Sequence, residues 1–205
     1  MPETIVISNS GFIVLGLELL FSLALPIAAI VVWKKKADVS LRPCVLGAVA
    51  FFVFAVVLEQ IIHFLVLGLN GTVSDFILSR PWLYAVYGGF MAGFIEESAR
   101  FLVFKTMMRD NVGRENAVSY GLGHGGLECF SVLGMTMISN LMLAVMFNSI
   151  GAEEFIAQYA PGQTAAISEA IAGINAIDPA AAALACFERA CSMALQMELS
   201  ILVFG

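Results

Sequence analysis

The chain has 205 residues, 60% of them hydrophobic and only 13% charged, with a mean hydropathy of +0.92. A soluble domain is about 45–50% apolar, so soluble and disordered classes are excluded; apolar runs of membrane length recur, and lipid offers no partner to an open strand edge, so the predicted fold is an all-α polytopic membrane bundle. The net charge of −6 hides a segregation of basic from acidic residues, and no basic patch with interleaved aromatics points to nucleic acid.

Five spans are predicted within one integral membrane domain, 1–205. The first runs from about Phe12 to Trp33 and ends at Lys34-Lys35-Lys36; because this basic cluster follows the apolar run, no cleavable signal peptide is expected. The second runs from about Pro43 to Leu69, and the third from Pro81 to Phe104. The fourth, from about Ala117 to Phe147, is long enough to tilt or bend. Between it and the last span, Pro161-Gly162 breaks a segment in which Ile167, Ile171 and Ile174 recur at helical spacing, which predicts a short amphipathic helix on the outer surface. The fifth span opens at Asp178-Pro179, an N-cap followed by a proline suited to the first turn, and continues to Phe204, where the chain stops on an apolar run that leaves further spans open.

Lys34, Lys35, Lys36 and Arg42 flank one loop, and Lys105, Arg109 and Arg114 occupy another; the alternate loops hold Arg80 among basic residues. The basic loops are therefore expected in the cytoplasm, with the N-terminus outside and the C-terminus of this chain inside. The expected location is a prokaryotic cell membrane, an expectation that the charge pattern does not itself supply. The sequon Asn70-Gly71-Thr72 is too short a match to carry weight. Cys44, Cys129, Cys186 and Cys191 form no CxxC pair and read as small apolar fillers.

Ionisable residues at membrane depth cost roughly 2.5–3.5 kcal/mol each on insertion scales and persist where they face one another, water or a substrate. The third span carries Glu96, Glu97 and Arg100, the fourth His124 and Glu128, and the fifth Gln196. Counted from the cytoplasmic ends at about 1.5 Å per residue, Glu96 lies roughly 13 Å deep, His124 roughly 10 Å, Glu128 roughly 16 Å and Gln196 roughly 13 Å. Three helices thus bring polar groups to one plane. Arg100 is i+4 to Glu96 and i+3 to Glu97, so it can hold one carboxylate ionised while the other does acid–base work. The bland alternative, an ion pair that fixes helix packing, explains one glutamate and leaves the second. His124 and Glu128 are i,i+4, so the carboxylate can orient the imidazole or both can bind a metal.

Gly121, Gly123, Gly125 and Gly126 satisfy G-x-G-x-x-G around His124, but in an apolar helix this excludes a dinucleotide site and signals close backbone approach. Gly89 and Gly93 repeat a small-xxx-small spacing before Glu97, fitting either helix packing or room for a substrate backbone. A second polar layer, Glu59 with His63 and Glu188 with Arg189, reads as structural pairing, by Glu59–Arg189 or Glu188–Arg189. Glu18 and Glu198 have no obvious partner in sequence.

EESAR, then HGGLE, then FERACSMALQMELS, in this order, resemble the YhfC-like family of intramembrane peptidases, related to the CAAX-protease and bacteriocin-processing clan and to PrsW-type proteases; the resemblance covers most of the chain. It implies a glutamate-dependent peptidase that hydrolyses membrane-embedded or lipid-anchored protein substrates near the cytoplasmic side. Glu96 and Glu97 correspond to the paired glutamates of the first motif, with one residue fewer before Arg100 than in EExxxR; Tyr120-x-x-x-His124 resembles FxxxH; and Gln196-x-x-x-Ser200 stands where a motif beginning with His is expected. The implied roles are a water-activating base from Glu96 or Glu97 with His124, a clamp from Arg100, an oxyanion donor in Gln196, and Glu128 to orient His124 or help bind metal. Gln196 in place of His argues against a two-histidine zinc site, so no cofactor is expected, zinc remaining the alternative with His124, Glu128 and Glu96 as ligands. The rival readings are a zinc-dependent metallopeptidase, a proton-coupled carrier, for which an inverted repeat is missing, and a non-catalytic homologue that binds membrane helices. Substrate and oligomeric state are not legible.

Overall fold

A computed structural model describes residues 7–69, 71–111 and 113–204 of the chain. Asn70 of the sequon lies outside the described residues. Among the described residues eight helices follow one another: α1 (Asn9–Ala37), α2 (Arg42–Gly68), α3 (Thr72–Leu78), α4 (Pro81–Thr106), α5 (Arg114–Ile150), α6 (Ala152–Tyr159), α7 (Thr164–Asn175) and α8 (Pro179–Phe204). The described residues contain no strand, and the all-α reading holds. Prolines open several of these helices for one reason: the first turn has no use for their missing N–H. Pro43 and Pro81 stand there in α2 and α4. In α8 the expected N-cap forms, Ala180 N donating to Asp178 Oδ1 at 3.0 Å.

The five predicted spans correspond to α1, α2, α4, α5 and α8 to within a few residues. Three of these, α1, α2 and α5, are long and apolar enough to cross a membrane, and a fourth span results if α7 and α8, which meet at 89°, count as one broken element. At 26 residues each, α4 and α8 are about 39 Å long, so length suffices; the charges that α4 and α8 carry dilute their apolarity. Bulky apolar side chains face outward, such as Phe90 at 66% and Phe187 at 65% exposure, as lipid contact requires. The segment expected to hold one short amphipathic helix contains two, α6 and α7, and the buried Ile171 and Ile174 of α7 belong to a core cluster with Ile167 packed against it.

The chain divides into two compact units. The first comprises Met1–Leu25 and Cys129–Cys191. Its core gathers Leu15, Leu133, Met137, Phe147, Phe155 and Ile171. Ile7 and Ser8, just ahead of α1, are tied down by polar contacts: Ile7 N donates to Asn148 Oδ1 at 2.8 Å, Asn148 Nδ2 donates back to Ile7 O at 3.0 Å, and Ser8 N donates to Asn175 Oδ1 at 2.9 Å. Gly151, at φ +86°, turns the chain from α5 into α6, a conformation that favours glycine.

The second unit comprises Pro26–Glu128 and Ser192–Gly205. Ala50, Val103, Phe104, Met108, Ala117 and Tyr120 form its core. Glycines set how closely its helices meet. A Cβ on Gly123 would overlap the carbonyl of Cys44 in α2, and one on Gly121 would lie 2.6 Å from Met197 Cα in α8. So α5 presents glycines to two neighbours at once, the small-residue packing that brings helix backbones together in lipid. Gly89 and Gly93 of α4 differ, with nothing within 4 Å of where a Cβ would sit. Segments of α2 (Phe51–Glu59 and Phe64–Gly68) and of α5 (Phe130–Gly134) are wound as π-helix, a form concentrated at functional sites.

Candidate metal and active site

Glu96, Glu97, Arg100, His124, Glu128 and Gln196, the six residues singled out in sequence, all fall in the second unit, and their polar atoms meet. The centre of the network is Gln196 on α8. Its Nε2 donates to Glu96 Oε2 at 3.0 Å and to Glu128 Oε2 at 2.9 Å, while its Oε1 accepts from Arg100 Nη2. Because a guanidinium only donates, this contact fixes which end of the amide faces which neighbour. Both amide hydrogens are thereby committed to carboxylates. The geometry gives Gln196 the part of a clamp between two acids, and leaves no amide hydrogen for the oxyanion donor role expected of it.

Arg100 is fully buried, at 0% exposure. It also donates through Nη1 to Glu97 Oε1, so of the paired glutamates it is Glu97 that the arginine holds. Glu96 turns instead to His124, whose Nε2 lies 3.2 Å from Glu96 Oε2. The imidazole is itself fully buried, with Phe51 edge-on at 5.2 Å between ring centroids and Tyr120 at 6.1 Å. Glu128 is also held across helices: Ser192 Oγ donates to Oε1 at 2.6 Å, and Gln196 Nε2 donates to Oε2 at 2.9 Å. Sequence reasoning missed Ser192. It precedes Gln196 by four residues on α8, so it shares the face of α8 that carries Gln196, and that spacing was its available signal.

The residues fit a metal ion on three grounds. One ligand atom each from Glu96, His124 and Glu128 lie within 4.8 Å of one another. Two carboxylates and an imidazole are a donor set that zinc accepts, with a fourth position left for water or substrate. And the surroundings hold buried polar atoms with no hydrogen-bond partner among the described residues: His124 Nδ1, Glu97 Oε2, Arg100 Nε and Tyr120 Oη. Buried polar groups are nearly always satisfied, so a cluster of exceptions is a setting that an ion or water would complete.

The second polar layer is simpler. Glu59 and His63 meet as their spacing predicts, at 3.2 Å, and Tyr87 Oη, not anticipated, lies 3.0 Å from His63 Nδ1. Glu188 and Arg189, in the first unit, pair with each other.

Residues 21–205 match the family described as YhfC intramembrane metalloprotease. The chain belongs to this family. It is also 35% identical over 143 residues to the uncharacterized membrane protein YhfC of Bacillus subtilis (strain 168); the match takes in 70% of this chain and 55% of that protein, so the chain spans about half the length of this relative. No solved structure matches. Membership in the YhfC family agrees with the expectation of a multi-pass membrane protein of an intramembrane protease family. It corrects the balance between the two peptidase readings: the family description names a metalloprotease, which favours the zinc-dependent alternative over the glutamate type and stands against the expectation of no cofactor.

Proposed function

We propose that the chain is a metal-dependent intramembrane peptidase that hydrolyses peptide bonds of membrane-embedded or lipid-anchored proteins near the cytoplasmic side of the bilayer. The observation that carries the reading is the convergence of Glu96, His124 and Glu128 from α4 and α5, clamped by Gln196 from α8. Glu96, His124 and Glu128 would hold the metal. When bound, zinc supplies a Lewis acid that polarises a carbonyl and acidifies water.

The remaining roles belong to side chains. Glu97 has one oxygen fixed by Arg100 and the other, Oε2, buried without a partner. It is the acceptor positioned to take the proton of the attacking water at Oε2. Arg100 holds one oxygen of that carboxylate in place and, through Gln196, links it to the ligand pair. Ser192 and Gln196 orient Glu128 and Glu96. Gly89 and Gly93 leave α4 uncovered in the two turns before Glu97, which supports their use as space for an extended substrate backbone. Kinship with the CAAX-protease clan and PrsW-type proteases, a topology with the N-terminus outside, and a prokaryotic cell membrane belong to the same proposal.

The test uses purified protein in lipid nanodiscs with a panel of membrane-anchored peptides. Cleavage is expected to stop on chelation and to return with zinc, with one metal per chain by elemental analysis. Cleavage untouched by chelation would restore the glutamate-type reading. A metal-free, well-folded chain that cleaves nothing would make it a non-catalytic homologue.

A further inference from the structure

Glu18 sits on α1 within the predicted span, about 13 Å along the helix from Asn9 at 1.5 Å per residue. It is 6% exposed, and among the described residues it makes no hydrogen bond or ion pair. A carboxyl at this depth without a partner costs a few kcal/mol, and such residues mark functional positions. Nor is it sealed away. It lines an open groove of about 280 Å³, in the first unit, between α1 and α8. Leu17, Glu18 and Phe21 form one wall and Ala182, Ala183 and Cys186 the other, the same spacing on both helices. Two alanines let a visiting helix come close to the α8 backbone, as small residues do in membrane packing.

We propose that this groove docks a transmembrane helix of another protein, whose lysine or arginine pairs with Glu18. The apolar walls call for an apolar helix, and the lone carboxyl calls for a cationic donor on a long apolar stem. A second copy of this chain does not supply one at that depth. Lys34, Lys35, Lys36, Arg42, Arg80, Lys105, Arg109 and Arg114 lie in loops or in the end turns of helices, Arg100 is buried against Glu97 and Gln196, and Arg189 is paired with Glu188. Lipid ammonium groups stay at headgroup level, outside the hydrocarbon core. The inference does not rest on peptidase chemistry.

The full chain in lipid nanodiscs, carrying a photo-crosslinking residue at Leu17, tests it against two synthetic leucine–alanine transmembrane helices that differ only in one mid-span position, Lys or Leu. Half-saturation by the Lys helix is expected at about a tenfold lower concentration than by the Leu helix. The difference should vanish in Glu18→Gln, and Ala183→Leu, which narrows the groove but keeps the carboxyl, should weaken capture of both. Equal capture of the two helices by the unaltered chain, a lysine preference that survives Glu18→Gln, or an Ala183→Leu chain that binds as before would each overturn the proposal. Crosslinks running mainly between copies of this chain would overturn it in favour of self-association.

Discussion

Two Glu–His clusters lie in the same unit of this protein, and only one has the makings of a reaction centre. Glu59 and His63 are one turn apart on α2 and gain one neighbour, Tyr87. His124 and Glu128 have the same i,i+4 spacing on α5, yet their polar atoms are engaged by α4 and α8. The spacing is identical and the outcome differs. What separates the clusters is how many helices converge and what is left unsatisfied. His63 has both ring nitrogens partnered, whereas His124 keeps a buried Nδ1, and Glu97 a buried carboxylate oxygen, with no hydrogen-bond partner among the described residues. A completed hydrogen-bond set stabilises packing; an incomplete one at the meeting of three helices leaves room for an ion and water.

The largest effects should come from the cluster around His124. Glu97→Gln removes the acceptor proposed for the water proton and keeps the shape, so cleavage should fall by about 10²–10⁴-fold with metal content unchanged. His124→Ala should lose both cleavage and metal. Measuring the two variants side by side separates base from ligand; metal loss in Glu97→Gln would show that the two glutamates have exchanged roles.

Arg100→Ala comes next. It leaves Glu97 without its cation and Gln196 without its donor, and breaking a buried pair costs about 3–5 kcal/mol. Unfolding followed in mixed detergent should show that loss. A folded variant of unaltered stability would mean that water reaches Glu97 freely.

Gln196→Leu and Ser192→Ala remove groups that orient proposed ligands, an arrangement whose loss typically costs 10–100-fold in metal affinity or activity, about tenfold being expected for the single hydroxyl of Ser192. Titration of zinc into chelated protein reads this directly. If Gln196→His instead raises affinity, position 196 is a ligand position that this chain fills with an amide.

How much of this was legible before the structure follows from which signals are local. Span positions followed from apolar runs, and the start of α8 from Asp178-Pro179, because hydropathy and capping are properties of neighbouring residues. Convergence of Glu96, His124 and Gln196 was legible through depth alone, since helices of known rise in a slab of known thickness have one free coordinate fewer. Partner choice was not. That Arg100 takes Glu97 and Gln196 depends on the rotation of α4 and α8 about their axes, which depth leaves open. The same freedom hid Ser192 and Tyr87, whose partners lie on other helices. Gln196 stands out in the sequence for not being histidine; that both its amide hydrogens face carboxylates depends on how three helices pack.

The smallest expected effect is the sharpest check on the comparison. Tyr87→Phe deletes only the hydroxyl that lies 3.0 Å from His63 Nδ1. If the Glu59–His63 cluster is packing, its loss should cost about 0.5–1.5 kcal/mol, the net worth of one hydrogen bond, and should leave cleavage and metal content unchanged. His63→Gln, which can still bond on one side, should cost no more. Both are read by unfolding and turnover on one preparation. A tenfold fall in turnover at unaltered stability would break the distinction: the Glu59–His63–Tyr87 set would then serve the reaction, and a completed set of hydrogen bonds would no longer separate structure from chemistry in this membrane.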